Sequence, residues 1–406
     1  FFSNGAGVTF VPDPDNQLAA FAPNTPGRQS VDFIDPDLGQ PAVWKANLAV
    51  EHELPWYGLV ASAEFIHTKV EEGIFYQQLN LGAATAVGQD GRLIYWNTNG
   101  RNPNNWNQFG TGSSVTSRAN ANSSYNDAII ARSTSLGGSD QLTLSLSKPF
   151  NGSDWSYGLA FTYTDTSEVS PLTSSTSSSQ LGNVAVFQAN EEVAAPSNYE
   201  IKQRVTGTLN WKHSFFGNYN TLFSVFYEGR SGKPFSYTFD NDANGDGRFN
   251  DLLYIPASPT DVVFGSATEA ANFWAFVNGN KYLSNHLGQI ASRNAVRNPF
   301  VNSFDIKISQ EIPGFMEGHK GEIWLDIMNV GNLINKKWGQ IDEYGFPSMR
   351  GVVEYGGICT ATVTAICTAG SAGKYVYRFN TPDATNIYDD KGISRWAMQV
   401  GFRYSF

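Results

Sequence analysis

The last thirteen residues, Ser394 to Phe406, alternate without a break. Trp396, Met398, Val400, Phe402, Tyr404 and Phe406 fall on one face of a strand; Arg395, Ala397, Gln399, Gly401, Arg403 and Ser405 fall on the other. The cause is the period of two that pleated backbone imposes on side chains. A ribbon greasy on one side and polar or small on the other, closed by an aromatic carboxyl-terminal residue, fits a transmembrane β-barrel. There the apolar face meets hydrocarbon and the polar face meets the lumen. An edge strand of a soluble sandwich is the rival reading.

The same rhythm recurs along the chain. It predicts strands at Trp44 to Leu54, Leu59 to Val70, Asp140 to Lys148, Asp154 to Asp165, Ile201 to Ser214, Tyr219 to Arg230, Asn302 to Ile312 and Glu322 to Val330, with the terminal strand as the ninth. Connections at 55–58, 149–153, 215–218 and 313–321 are short. Those at 79–139, 166–200, 231–301 and 331–393 are long and rich in Gly, Asn and Ser. Loops of this length are uncommon in compact soluble domains. Short turns on one rim and long loops on the other mark an outer-membrane barrel, and a sandwich has no reason to sort them. Short turns then belong to the periplasm and long loops to the cell exterior. Trp56, Tyr57, Phe150, Trp155, Trp211, Phe215, Phe216, Tyr219, Phe315, Tyr404 and Phe406 gather near the short-turn rim, as an aromatic belt at the lipid–water boundary would.

Composition narrows the classes. Aromatics are 14% and charged residues only 16%, against a usual ~25% charged. The net charge of −10 argues against a nucleic-acid partner, which selects basic patches. No apolar run approaches the ~20 residues of a membrane helix, so a membrane-bound form crosses with strands, each backbone group paired within the protein. The opening Phe1-Phe-Ser-Asn-Gly reads as mid-chain, and the expectation is the carboxyl-terminal part of a longer protein. Nine strands is odd, whereas bacterial single-chain barrels are even. The expected fold is therefore all-β: an antiparallel transmembrane barrel, present in part. Residues 1–43 lead into it as a loop region and 44–406 form the barrel portion. Both edge strands are expected to be bare.

The chain resembles the carboxyl-terminal barrel of a TonB-dependent outer-membrane receptor of the Oar-like kind, from about Val31 onward. The resemblance rests on Asp35-Pro-Asp-Leu38, Lys45-Ala-Asn-Leu48 and Glu53-Leu-Pro-Trp-Tyr-Gly58. It continues through the stretch from Asp242 to Pro256, Arg297-Asn-Pro-Phe300, the stretch from Asn329 to Gly339, and the aromatic terminal strand. It implies a barrel of 22 strands with an amino-terminal plug in its lumen, uptake of a scarce solute driven by the TonB complex, and location in the bacterial outer membrane. Tyr404 and Phe406 match the signal that barrel-assembly machinery reads. An unknown extracellular ligand and outer-membrane lipid are the other partners. A secreted adhesin or glycan-binding sandwich and a passive porin-like channel are the alternatives.

Asp242-x-Asn244-x-Asp246-Gly247 matches the opening of a calcium loop, with oxygens at positions 1, 3 and 5 and Gly at 6. Leu253 replaces the acid expected at position 12, and Asn250 and Asp251 are the nearest substitutes. An acidic Gly-rich turn without an ion is the other reading, and both stand open. Cys359 and Cys367, with no His nearby, point to a local disulfide rather than a metal site. Catalysis has no motif behind it: His52, His67, His213, His286 and His319 are scattered, and no HExxH or GxSxG is present. Glu51, Glu64, Glu228, Asp305 and Asp326 read as solvated lumen residues or plug contacts, with a carboxylate pair for glycoside hydrolysis as the minor reading. Tyr95-Trp96, Trp106 and Phe273-Trp274 either bind a ligand or pack loops together.

Overall fold

A computed structural model describes residues 28–106, 121–380, 382, 386–387 and 393–406. Its largest sheet holds twelve strands. Nine of them, labelled β1 to β9, are those the alternation predicts: β1 Ala42–Glu53, β2 Val60–Gln78, β3 Gly137–Lys148, β4 Trp155–Glu168, β5 Gln203–Phe216, β6 Tyr219–Arg230, β7 Val301–Pro313, β8 Lys320–Met328 and β9 Ala397–Ser405. They pair antiparallel in sequence order. Two of the other members, Gln29–Ile34 and Tyr125–Thr134, extend the long-loop end; the third is the short Ala195–Pro196. Tyr125–Thr134 continues the line of β3 along the far end of β2. This segment falls inside the 79–139 connection expected to be loop. Its apolar residues do not alternate, because it mixes Ile129 and Ile130 with Asn126 and Asp127.

The register carries one apolar face across all nine strands. Leu48 pairs with Phe65, Phe65 with Leu142, Leu142 with Tyr163, and Tyr157 with Leu209. Leu209 pairs with Val225, Val225 with Ile306, Ile306 with Ile327, and Ile327 with Met398. A slip of one residue anywhere would turn that face over. On β4 the apolar side chains are exposed and the polar ones between them are half-shielded. That is the pattern of a sheet curling with its polar face inward. Among the described residues β1 pairs only with β2, and β9 only with β8, so the sheet is open and both edges are unpaired.

Four short turns join the strands at one rim, two of them through Gly152 and Gly318 at φ +73° and +84°. A side chain at either position would be strained. β8 stops at Met328, short of the expected Val330, because Asn329 takes a left-handed φ of +53° and a helical turn follows.

At the opposite rim the long connections fold together rather than hanging free. Val263–Phe264, Tyr375–Phe379, Met349–Ile358, Pro234–Phe239 and Val296–Arg297 form a second, five-stranded sheet in that order. The helix Ala267–Gly279 packs on it, with Phe273 and Val277 fully buried. Tyr237, Phe239, Tyr355, Tyr375, Tyr377 and Leu253 complete a core that lies in this cap and not in the large sheet. The expectation of polar loops is corrected here. Their polar surface encloses an aromatic interior, and edge-to-face ring pairs such as Phe239–Tyr377, 5.6 Å apart, organise it.

Candidate functional site

Three surfaces carry the chemistry: the two faces of the large sheet and the acidic loop within the cap.

The apolar face is bare. Leu48 is 75% exposed, Leu159 56%, Val400 73% and Phe402 58%. Leu144, Leu209, Phe304, Ile323 and Met398 are exposed beside them. A soluble protein rarely exposes a contiguous apolar patch beyond a few hundred Å², and in a β-sandwich these residues would be covered by a second sheet. No part of the described chain covers them. At the short-turn rim the aromatics do cluster. Trp155 and Trp211 stack at 5.8 Å and Trp211 and Phe223 at 5.5 Å, while Phe216 and Phe315 project outward.

The polar face is laced with cross-strand pairs. Asn47 Nδ2 donates to Glu64 at 2.7 Å, Arg204 Nε to Glu228 at 2.7 Å, and Lys307 Nζ lies 3.4 Å from Asp326. Asp305 accepts the backbone N–H of Asn329 at 2.7 Å. Each of these four carboxylates thus meets a cation or an amide. His67 and His213 lie beside Asp140 and Asp154, at 2.7 and 3.5 Å. His286 Nδ1 lies 2.7 Å from the Tyr282 carbonyl, and His319 Nδ1 2.9 Å from the Tyr404 hydroxyl.

The acidic loop is buried. Asp242, Asn244, Asp246, Asn250 and Asp251 are all at most 6% exposed. Its turns are built from side-chain oxygens. Asp242 accepts Gly245 N–H at 2.5 Å and Gly247 N–H at 2.7 Å; Asn244 accepts Asp246 N–H at 2.7 Å; Asp246 accepts Arg248 N–H at 2.8 Å. Asp251 accepts Ala243 N–H at 2.8 Å and receives Arg92 Nη1 at 2.7 Å. Gly245, at φ +84°, lets the loop approach Trp96, whose backbone nitrogen a Cβ would meet at 2.5 Å. Arg92 is wholly buried, also holding Asp90 at 3.3 Å and lying over the rings of Phe187 and Phe239. The two carboxylates facing it raise the Arg92 pKa against its own desolvation. Burial pushes the Asp242 and Asp251 carboxyls up, and Asp246 up to about 7. Desolvation is the first cause; neighbouring carboxylates come second at Asp242 and Asp246, whereas at Asp251 the Arg92 guanidinium opposes it. Among the described residues no group of three or more His, Cys, Asp or Glu side chains is placed to hold one metal ion.

The remaining sequence candidates are structural in their settings. Cys359 and Cys367 are joined by a disulfide and are each 2% exposed. Tyr95, Trp96, Trp106 and Phe273 are buried in the cap, which makes them loop packing rather than a ligand surface. Phe406 is 96% exposed, whereas the Tyr404 hydroxyl accepts the Phe315 N–H at 3.1 Å. Sequence reasoning missed Arg92. Its partner Asp251 lies 159 residues away, and no local pattern links them.

A family model described as "Outer membrane beta barrel domain" matches residues 2–340. This chain belongs to that family. Its place is the bacterial outer membrane. Among solved structures, the outer membrane transporter YddB from Escherichia coli is similar at 10% identity and a TM-score of 0.39, over 93% of this chain and 34% of that one. The chain thus spans about a third of that transporter's length. No curated protein matches it.

Proposed function

We propose that this barrel domain is the carboxyl-terminal part of a TonB-dependent receptor of the Oar-like kind, which binds a scarce solute outside the cell and imports it. The observation that carries the reading is an open sheet of nine broad strands beneath a folded cap. Two unpaired edges call for further strands, and the family resemblance supplies a barrel of 22. The long-loop rim then faces the exterior, and the cap with the polar wall below it forms the approach to the lumen. The Arg204–Glu228 and Lys307–Asp326 pairs leave that wall polar but charge-balanced, suited to passing a solute and to seating a plug. Energy comes through the TonB complex, and assembly through the machinery that reads Tyr404 and Phe406.

Planar-bilayer conductance of the full-length protein tests the proposal. A plugged receptor stays silent until denaturant dislodges the plug. Steady ohmic conductance without denaturant would instead make the protein a passive channel.

A further inference from the structure

Several arginines of the cap are engaged by oxygen. Arg92 holds Asp90 and Asp251, Arg297 holds Glu200, and Arg293 donates to the carbonyls of Glu168, Val169 and Val193. Arg350, the second residue of the strand Met349–Ile358, is not. Its Nε is buried and has no hydrogen-bond partner. Among the described residues no hydrogen bond or ion pair reaches the rest of its guanidinium either.

Three rings surround it instead. The guanidinium carbon lies 4.8 Å from the ring centre of Tyr344, 5.1 Å from that of Phe276 and 5.9 Å from that of Tyr237. Rings at such distances attract a cation, but they are weak acceptors of N–H groups. An arginine carries five N–H donors and keeps its charge. Its donors therefore call for oxygen that the described chain does not supply.

The cage is held from behind. Arg350 and Tyr237 are partners across parallel strands. The Tyr237 hydroxyl accepts from Asn280 Nδ2 at 2.6 Å. Tyr344 packs against Phe235 at 4.5 Å and donates its N–H to Asn298 Oδ1 at 3.1 Å. Phe276 lies 6.0 Å from Phe379. Burial pushes the Tyr344 hydroxyl pKa up against the Arg350 charge, so the ring stays neutral. Asp342 acts on the same hydroxyl but makes no ion pair with Arg350. A cation fixed in advance among rigid rings loses little freedom when an anion arrives.

We propose that Arg350, in its cage of Tyr237, Phe276 and Tyr344, binds a carboxylate carried by the solute. A planar guanidinium matches a planar carboxylate through two parallel hydrogen bonds, and the rings offer an apolar bed for the carbon beside it. The net charge of −10 works against anions of higher charge, so one carboxylate on an apolar body is favoured over a phosphate. Calling this ligand the solute rests on the receptor reading above; carboxylate binding at Arg350 does not, and it is measured without reference to conductance.

Ligand-detected NMR titration of the detergent-purified full-length protein tests it, with empty micelles as the blank. The probes are benzoate, its neutral isostere benzamide, and phenyl phosphate at about pH 8, where it is dianionic. Benzoate should bind with a Kd on the order of 1–10 mM, as its few atoms allow. Benzamide and phenyl phosphate should each bind at least about tenfold more weakly. Arg350→Lys keeps the charge without the fork and should weaken benzoate about tenfold; Arg350→Met should abolish binding. The three probes on wild type keep the test decisive if a variant does not fold. Benzoate that fails to bind by ~50 mM, benzamide or phenyl phosphate that binds as well as benzoate, or Arg350→Met that binds as wild type does would make the rings mere packing for Arg350 and overturn the proposal.

Discussion

Replacing Arg92 by Met tests whether the cap is held by its buried charges. The guanidinium is at 0% exposure and satisfies Asp251 at 2.7 Å, Asp90 at 3.3 Å and the Leu252 carbonyl. Met fills most of the volume and keeps the apolar contact with Phe187 and Phe239, so the loss is chiefly electrostatic. Removing one partner of a buried pair typically costs about 3–5 kcal/mol, because a charge is left without compensation; here two carboxylates are left. At about 1.4 kcal/mol per tenfold, the open population of the cap rises roughly 10²–10⁴-fold. The nine-stranded wall makes no use of Arg92 and should be unaffected. Hydrogen exchange, read separately for the cap strands and for β3 to β8, measures both. The defect should also depend on pH. In the variant the Asp251 carboxyl, already pushed up by burial, loses the guanidinium that opposes this and titrates above its unfolded value, so the protonated form stabilises the cap. Stability is then greatest below about pH 4 and falls as pH rises. Cap exchange that speeds up by less than about fivefold (a cost under ~1 kcal/mol), or a cost of equal size in the wall, would refute the reasoning. So would restoration at high rather than low pH. The further variant Arg92→Met/Asp251→Asn should recover part of the loss.

Other substitutions probe the remaining parts. Leu144→Arg puts a charge on the lipid face near mid-strand and should destabilise the barrel by about 2–4 kcal/mol in urea titrations in lipid vesicles, whereas the adjacent Ser145→Arg on the lumen face should cost under ~1 kcal/mol. Cys359→Ser/Cys367→Ser opens a loop closed across a separation of 8 residues, a loss of about 2–3 kcal/mol to the cap, read as faster proteolysis of 359–367 with barrel melting unchanged. Phe406→Ala removes a ring that is 96% exposed, so refolded protein should match wild type within ~0.5 kcal/mol. The yield assembled in cells should nevertheless fall, as the resemblance to a barrel-assembly signal implies.

The wall was legible because each of its strands is wet on one side. Alternation such as Leu142, Leu144 and Leu146 against Thr143, Ser145 and Ser147 exists only where the two faces meet different solvents. The cap offered no such signal. Pro234–Phe239 is buried at every position, as is most of Tyr375–Phe379, and a strand covered on both faces has no reason to alternate. Its core comes from three connections, with Trp96, Tyr237 and Tyr355 far apart in sequence. At the acidic loop the spacing of Asp242, Asn244 and Asp246 announced side-chain oxygens, and the structure does turn them inward. The ring cage of Arg350 was not readable, because Tyr237 and Phe276 come to it from another connection.

Nitroxide labels placed singly from Leu142 to Ser147, in protein reconstituted into bilayers, address the central claim most directly. Collision rates with oxygen, which concentrates in hydrocarbon, should peak at 142, 144 and 146. Rates with a polar nickel chelate should peak at 143, 145 and 147. Even-numbered labels that meet neither reagent would mean that another layer of protein covers them, and the membrane-facing assignment would be wrong.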